Sequence, residues 1–214
     1  MSKDLASDIV IQRMGSEDSA PRRLFLLFHG VGARAEDLVP LGQIISEHCP
    51  QAWIVSVRAP DASSFGHGWQ WFSVQGVTEA NRPARIAEAM PRFTDTVRAW
   101  QDATNTDPDT TTLIGFSQGA IMSLESTQES VPIANRVIAI AGRFAQSPRV
   151  APPLLTLHLL HGDQDAVIAA SYAREAADTW RKLGGNVTLD IFSGLGHGID
   201  VRVAQSITKL LGKH

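Results

Sequence analysis

The sequence of 214 residues has one cysteine, Cys49, and few long apolar runs. A single cysteine cannot form an internal disulfide, which suits a reducing compartment. The longest apolar stretches are LFLLF at 24–28 and LLTLHLL at 154–160, well short of the ~20 residues that a membrane-spanning helix needs. The N-terminal MSKDLASDIV lacks the apolar region of a signal peptide. We therefore expect a cytoplasmic protein without a membrane span.

The chain also has little excess of charge of either sign, because its 19 basic and 22 acidic residues give a formal net charge of −3 at pH 7. Such a chain lacks the basic field that attracts nucleic acid, so no nucleic-acid partner is expected. Neither His-Glu-x-x-His nor a paired Cys-x-x-Cys sequence occurs. We accordingly expect no metal and no other cofactor.

Short apolar runs alternate with longer amphipathic segments. Runs rich in Leu, Ile and Val predict strands buried on both faces of a parallel sheet, with helices covering both sides. Pro91 lies inside one helical segment and predicts a break or a kink there. The length suits one domain over residues 1–214. The predicted strands are 8–14, 24–30, 52–57, 111–116, 136–142, 155–162 and 187–192, and the predicted helices are 35–48, 82–101, 118–129, 169–183 and 200–211.

The segment TLIGFSQGAIM at 112–122 places Ser117 between Gly115 and Gly119, where a predicted strand meets a predicted helix. In an α/β-hydrolase the pattern G-x-S-x-G marks a tight turn that presents a serine oxygen as nucleophile. Serine and glycine are common residues, so the pattern needs support from the rest of the chain.

A nucleophilic serine needs a histidine base and an acid that orients the histidine, and in α/β-hydrolases they follow the serine in the order acid, then histidine. The predicted base is His197, in the glycine-rich SGLGHGID at 193–200 between the last strand and the last helix. Its alternative is an ordinary turn histidine at the start of that helix. The other six histidines precede Ser117, lie in or at the end of a strand, or end the chain: His29, His48, His67, His158, His161 and His214.

The acid must lie between Ser117 and His197. HGDQDAVI at 161–168 follows a predicted buried strand and offers Asp163 and Asp165. We favour Asp165, since Asp163 directly after Gly162 is the usual Gly-Asp pair of a turn.

Four blocks resemble, in order, those of the phospholipase/carboxylesterase family of α/β-hydrolases, which includes acyl-protein thioesterases. They are FHGVG at 28–32, GFSQGA at 115–120, HGDQD at 161–165 and LGH at 195–197; residues 68–86 and 187–200 are similar to a bacterial esterase subgroup. The resemblance implies an α/β-hydrolase fold with a mostly parallel sheet of about seven strands, helices on both faces and no large cap domain. It also implies that Ser117, Asp165 and His197 are nucleophile, acid and base. The sequence AVIAA at 166–170 departs from the Val-Pro pair often found after the acid.

Acyl transfer places negative charge on the carbonyl oxygen, and backbone N–H groups usually stabilise it. One predicted donor is the N–H of Gln118, which follows the nucleophile and begins a helix. The resemblance implies that the second is the N–H of Val31. For His29 we favour a brace of this loop over direct catalysis.

The segment DASSFGHGWQWFSVQG at 61–76 is rich in aromatic residues. We predict that Trp69, Trp71 and Phe72 line an acyl pocket, with Trp71 as the main contact. The alternative is a loop that folds onto the core.

These patterns predict a serine hydrolase that cleaves carboxylic esters or thioesters through an acyl-enzyme. Its substrate would be a small molecule or an acylated protein. One alternative is a non-catalytic binding module on the same fold. Another is a nucleotide-binding oxidoreductase, because GVGARA at 30–35 matches G-x-G-x-x-A and Arg58 ends the next strand, where it could meet a 2′-phosphate.

Overall fold

A computed structural model describes residues 5–13 and 22–212. Strands and helices alternate along most of that chain. The strands are β1 Ile9–Gln12, β2 Leu24–Phe28, β3 Trp53–Val57, β4 Asp61–Ala62, β5 Trp69–Gln70, β6 Thr111–Phe116, β7 Arg136–Ile140, β8 Thr156–Gly162 and β9 Asn186–Phe192. The α-helices are α1 Val39–His48, α2 Arg82–Thr104, α3 Gln118–Glu125, α4 Ala170–Lys182 and α5 Val201–Leu211.

Seven strands form one sheet in the order β1-β3-β2-β6-β7-β8-β9. Every neighbouring pair is parallel except β1 with β3, which places the antiparallel strand at an edge. The prediction of a mostly parallel sheet of about seven strands is confirmed. β4 and β5 pair separately as a short antiparallel hairpin within the aromatic segment, which the sequence analysis did not predict.

Both faces of the sheet are covered, which explains why its middle strands are continuously apolar. On one face Phe93, Met122 and Trp180 from α2, α3 and α4 join the core. On the other face Ile45 and Ile207 from α1 and α5 pack on the sheet. Burying one such side chain contributes about 1.5–3 kcal/mol, so the layers on both faces hold the sheet in place.

Pro91 does not break α2, which runs without interruption from Arg82 to Thr104. The prediction of a break is wrong, because the residues around Pro91 bury an apolar stripe that includes Met90 and Phe93. Tertiary packing of this kind outweighs the loss of one backbone hydrogen bond at a proline.

Other differences lie at the ends of elements. Residues 35–38 form a 3₁₀ turn before α1, and α3 ends at Glu125, followed by a 3₁₀ turn at 126–128. The predicted strand 8–14 is shorter, and Met14 lies outside the described residues, as does His214.

The carboxyl ends of the parallel strands meet at one edge of the sheet. Loops after β2, β6, β8 and β9 therefore come together there, and they carry the four blocks noted in the sequence. Residues 141–155, between β7 and β8, hold no helix or strand, so the described chain has no inserted cap at this edge. In the described ranges, none of the helices combines the length and apolar character needed to cross a membrane.

Candidate active site

Ser117 occupies a strained turn between β6 and α3. Its backbone has φ 52° and ψ −114°, a conformation that costs a residue other than glycine about 1–3 kcal/mol. The turn is held by a hydrogen bond from its N–H to the carbonyl of Ile140 at 2.9 Å, and its own carbonyl accepts from the N–H of Ile121. The side chain is thus presented at the carboxyl edge of the sheet.

The two glycines of the motif allow this turn to pack against its neighbours. A Cβ on Gly115 would overlap the backbone of Gly119. A Cβ on Gly119 would overlap the carbonyl of Phe28 at the end of β2. The pattern G-x-S-x-G therefore follows from close backbone approach on both sides of Ser117.

His197 lies between Ser117 and Asp165 and is within hydrogen-bonding distance of both. Its Nε2 is 2.9 Å from the Ser117 Oγ, and its Nδ1 is 2.7 Å from the Asp165 Oδ2. With a carboxylate at Nδ1, the neutral ring carries its proton there, which leaves Nε2 to accept from the serine hydroxyl. The ring of Phe116 lies 5.1 Å from the imidazole and forms one wall beside it.

The side chain of Asp165 is fully buried, and both of its carboxylate oxygens accept hydrogen bonds. Its Oδ1 accepts from the N–H groups of Val167 and Ile168 at 2.8 and 2.9 Å. Burial opposes ionisation, but the hydrogen bonds from His197 and from these two N–H groups outweigh it, so the pKa of Asp165 lies below its ordinary value. The carboxyl group is therefore an anion facing the imidazole.

Asp163 does not contact His197. Its Oδ1 accepts from the N–H of Gly194 at 2.7 Å, which fixes the base of the loop that carries the histidine. Gly162 lets this loop come close, since a Cβ there would overlap the Leu195 carbonyl. The structure thus brings together Ser117, Asp165 and His197 and places Asp163 in a supporting turn.

Val31 lies in the loop after β2, close to Ser117. A Cβ on Gly30 would stand 3.1 Å from the Ser117 Cβ, and Gly32 has a φ of 77°, which favours glycine. Within residues 5–13 and 22–212, the N–H groups of Val31 and Gln118 meet no acceptor. Two free donors therefore stand beside the serine, one in the loop after β2 and one at the start of α3.

His29 is buried and bridges two backbone segments. Its Nδ1 is 2.8 Å from the Gly30 carbonyl, and its Nε2 accepts from the N–H of Ala59 at 3.1 Å. Burial lowers the pKa of the imidazole, which keeps it neutral with Nδ1 as the donor. These contacts are those of the brace that the sequence analysis favoured.

The aromatic segment departs from its expected role. The ring of Trp71 is buried, 5.9 Å from the Phe28 ring and 5.0 Å from the Phe93 ring, and Phe72 belongs to the same core cluster. The expectation that Trp71 and Phe72 line an acyl pocket is corrected, because both fill the core. A surface cavity of about 450 Å³ does border both residues, but the rest of its lining is mostly charged and unsuited to an acyl chain: Asp61, Ser73, Arg85, Glu88, Ala89 and Arg92.

Trp69 is only partly buried, and its ring is covered by a cation. The guanidinium carbon of Arg58 lies 4.0 Å from the ring centroid. The oxidoreductase alternative needs Arg58 to face a phosphate near the loop at 30–35, but the guanidinium stacks on Trp69 instead.

Sequence reasoning missed three side chains near this edge. The Gln118 carboxamide is buried against the aromatic segment, and the His161 Nε2 lies 2.7 Å from the Ile168 carbonyl and 3.3 Å from Asp165. Arg143, after β7, forms a two-pronged ion pair with Glu79. The available signal for His161 and Arg143 was a polar residue at, or shortly after, the carboxyl end of a parallel strand, whereas the contacts of Gln118 depend on a distant loop.

Comparison with known proteins identifies the family. A family model described as phospholipase/carboxylesterase matches residues 10–214. The chain belongs to this phospholipase/carboxylesterase family. It is 46% identical to the esterase YpfH of Escherichia coli strain K12 over 190 residues, which span 89% of this chain and 82% of that protein.

Two solved structures share the architecture. The chain is similar to the crystal structure of esterase PE8, with a TM-score of 0.81 and 28% identity, covering 90% of this chain and 92% of that one. It is also similar in fold to a Bacillus cereus carboxylesterase, with a TM-score of 0.79 and 18% identity over 96% and 93% of the two chains. The α/β-hydrolase fold and the family predicted from the four sequence blocks are confirmed, and the chain is a hydrolase of the esterase type.

Proposed function

We propose that this esterase-family protein hydrolyses carboxylic esters or thioesters through a covalent acyl-enzyme on Ser117. The proposal rests on two contacts of the His197 ring: its Nδ1 lies 2.7 Å from the Asp165 Oδ2, and its Nε2 lies 2.9 Å from the Ser117 Oγ. A serine hydroxyl becomes a good nucleophile only when a positioned base takes its proton, and this arrangement supplies one.

In the first half of the reaction the Ser117 Oγ attacks the acyl carbon while its proton passes to the His197 Nε2. Collapse of the tetrahedral intermediate breaks the bond to the leaving alcohol or thiol, which receives that proton from the imidazolium. In the second half water gives a proton to His197 and attacks the acyl carbon. Collapse of this second intermediate breaks the bond to the Ser117 Oγ, which receives the proton back from the imidazolium as the acid is released. The anionic Asp165 stabilises the imidazolium in both halves.

The negative charge on the acyl oxygen needs donors that are already in place. We propose the N–H groups of Val31 and Gln118 for this role, because both lack an acceptor among the described residues. Gln118 is also the first residue of α3, where the helix dipole favours an anion.

The acyl group would lie across an edge that the described chain leaves without a cap. Phe65, in the loop after β4, is 57% exposed, and its carbonyl faces Gly32 beside Val31. We therefore propose Phe65 as an apolar contact for the acyl chain, in place of Trp71. Action on acylated proteins, a cytoplasmic location and a single domain over 1–214 stay predictions.

The proposal is tested by labelling with a fluorophosphonate probe, which reacts with activated serines, followed by mapping of the modified residue. We expect modification of Ser117, and no modification in His197→Ala. A screen of p-nitrophenyl esters of increasing chain length, with acyl-CoA and an acylated peptide, then gives the substrate class. Ester hydrolysis that persists in Ser117→Ala would contradict the acyl-enzyme route.

A further inference from the structure

Residues 69–72, which we call the strut, connect the two places that carry the proposed oxyanion donors: the loop after β2, with Val31, and the start of α3, with Gln118. At one end the N–H of Gly32 donates to the Trp69 carbonyl, and the N–H of Trp69 donates to the Ala33 carbonyl, both at 2.9 Å. Both bonds are made by the two residues that directly follow Val31 in the chain. The strut is thus hydrogen bonded to the loop after β2 as a small antiparallel bridge.

At its other end the strut is held by the side chain of Gln118. The Gln118 Oε1 accepts from the N–H of Trp71, and its Nε2 donates to the Phe72 carbonyl, both at 2.7 Å. The carboxamide is buried, so both bonds are made away from water. Only a side chain with one donor and one acceptor at this length satisfies both backbone groups.

The strut has a fixed base in the core. The Trp71 ring packs edge-on against Phe28, the last residue of β2, and against Phe93 of α2. Gly68 allows the close approach to the loop after β2, because a Cβ there would overlap the Gly32 carbonyl. A shift of the strut would therefore disturb the hydrogen bonds that hold the loop of Val31 at one end and the residue Gln118 at the other.

We propose that the strut is a positioning element that fixes the spacing of the Val31 and Gln118 N–H groups, and that the Gln118 carboxamide is its positioning residue. This inference rests on the proposed function. Val31 and Gln118 follow different strands, β2 and β6, and an oxyanion hole requires both donors 2.7–3.1 Å from one oxygen atom. A displacement of about 1 Å at such a site can cost about 100-fold in rate.

The first test replaces the carboxamide while leaving the Gln118 N–H in place. Gln118→Ala removes both bonds, and the nearly isosteric Gln118→Glu keeps the acceptor but sets a carboxylate against the Phe72 carbonyl. We expect kcat/KM for p-nitrophenyl butyrate to fall about 10- to 100-fold in both variants. Gly68→Ala, which pushes on the other end of the strut, should act in the same direction.

A second readout separates positioning from a general loss of structure. An alkyl trifluoromethyl ketone adds to the serine and places an oxyanion in the hole, whereas the matching methyl ketone binds mainly through its chain. We expect affinity for the trifluoromethyl ketone to fall by the same factor as kcat/KM, with the methyl ketone affinity nearly unchanged. Equal losses for the two ketones would show that Gln118 only maintains the fold, and would overturn the proposal.

Gln101 offers a matched control. Its buried Nε2 donates to the Thr111 Oγ1 and to the Ile133 carbonyl, at the opposite edge of the sheet. Gln101→Ala also deletes a buried carboxamide, and it should lower the melting temperature without changing the ratio of the two ketone affinities. A changed ratio in this variant would count against a specific role of the strut.

The two proposals fail in different ways. If the fluorophosphonate leaves Ser117 unmodified and Ser117→Ala stays active, the proposed function is wrong. If Ser117 is labelled and required, but Gln118→Ala and Gly68→Ala keep their trifluoromethyl ketone affinity, the strut alone is wrong. Should Gln118→Ala fold poorly, Gln118→Glu and Gly68→Ala still decide between the outcomes.

Discussion

The two ends of strand β6 differ in their hydrogen bonding and in their backbone conformation. At the amino end, the Thr111 hydroxyl donates to the Asp107 carbonyl at 2.6 Å and accepts from Gln101 at 2.9 Å. At the carboxyl end, Ser117 has a positive φ and lies in a turn that its flanking glycines allow to pack. One end satisfies its polar groups in relaxed geometry, and the other holds strain and leaves donors without acceptors.

This difference indicates where stability and chemistry reside in the molecule. Strain and unpaired polar groups persist only where the surrounding structure over-determines them, and they often mark functional sites. The glycines and the Ile140 carbonyl hold the Ser117 turn in this way. Cavity volume is a poorer guide, because a cavity of about 520 Å³ lies at the amino edge, where Arg23, Cys49 and Arg136 contribute to its lining.

The largest effect should come from the reacting residues at the carboxyl end. Ser117→Ala or His197→Ala should lower kcat by about 10⁴- to 10⁶-fold, because a triad acts as a unit. Ser117→Gly should be equally inactive yet more stable, since glycine adopts a φ of 52° without strain. Ester turnover and urea unfolding measure the two effects. A destabilised Ser117→Gly would show that the turn is not strained.

Asp165→Asn should lower kcat by about 10⁴-fold, because an amide favours the wrong tautomer of His197. Asp163→Asn is the matched control, since its remaining carbonyl oxygen still accepts from Gly194. We expect this variant to keep most of its activity. Steady-state kinetics on both variants show which aspartate is the acid of the triad. An inactive Asp163→Asn beside an active Asp165→Asn would assign that role to Asp163.

Trp71→Ala and Phe65→Ala compare a buried and an exposed aromatic residue near the same edge. Trp71→Ala should cost about 3–5 kcal/mol of stability and reduce activity alike for short and long esters, because it empties core volume. Phe65→Ala should leave stability nearly unchanged and raise KM mainly for long acyl chains. Unfolding curves and a chain-length series measure both, and a chain-length effect confined to Trp71→Ala would restore the acyl-contact hypothesis.

At the amino end of β6, Thr111→Val keeps the shape of the side chain and removes its hydroxyl. The Gln101 Nε2 and the Asp107 carbonyl each lose a partner, so we expect a loss of about 1–3 kcal/mol. The kcat/KM should not change, because the residue lies at the edge opposite Ser117. A large loss of activity in a folded Thr111→Val would remove the contrast between the two ends.

Much of the carboxyl edge could be predicted from the sequence. Continuous apolar runs such as LFLLF at 24–28 are typical of strands buried on both faces, and the carboxyl ends of parallel strands must meet. The order of Ser117, Asp165 and His197 then leaves few arrangements. Local patterns and chain topology suffice for this part of the site.

The aromatic segment could not be predicted in the same way. A tryptophan buried against Phe93 and a tryptophan that lines an open pocket have the same local sequence, so composition cannot distinguish them. The strands β4 and β5 have only two residues each, which is too short for a recognisable alternating pattern. The role of the Gln118 side chain depends on a loop 46 and 47 positions away in the chain. The helix break predicted at Pro91 was wrong for a related reason, since packing along α2 outweighs a local helix-breaking preference.

The smallest expected effect is a pH dependence of stability that originates at the carboxyl edge of the sheet, at His29 directly after β2. Burial lowers the pKa of His29 from its ordinary value of 6.5, so the unfolded chain binds a proton there more readily than the folded one. The stabilisation is therefore complete above the ordinary value and is lost as the pH falls below it. Neither the buried Asp165 nor the half-buried Glu125 adds to this loss between about pH 7.5 and 5. The pKa of Asp165 is depressed, so its contribution is lost only in stronger acid, and burial raises the pKa of Glu125, which works in the opposite sense.

Denaturant unfolding across this pH range should show a falling free energy in the wild-type protein. The decline should be flatter in His29→Gln, which has no imidazole to titrate. Thr111→Val is the control, because it lowers stability by a similar order at the other end of β6 without adding or removing a titratable group, and its pH profile should run parallel to that of the wild type. If His29→Gln also runs parallel, the buried imidazole is not the source of the pH dependence, and the two edges of the sheet respond alike to acid.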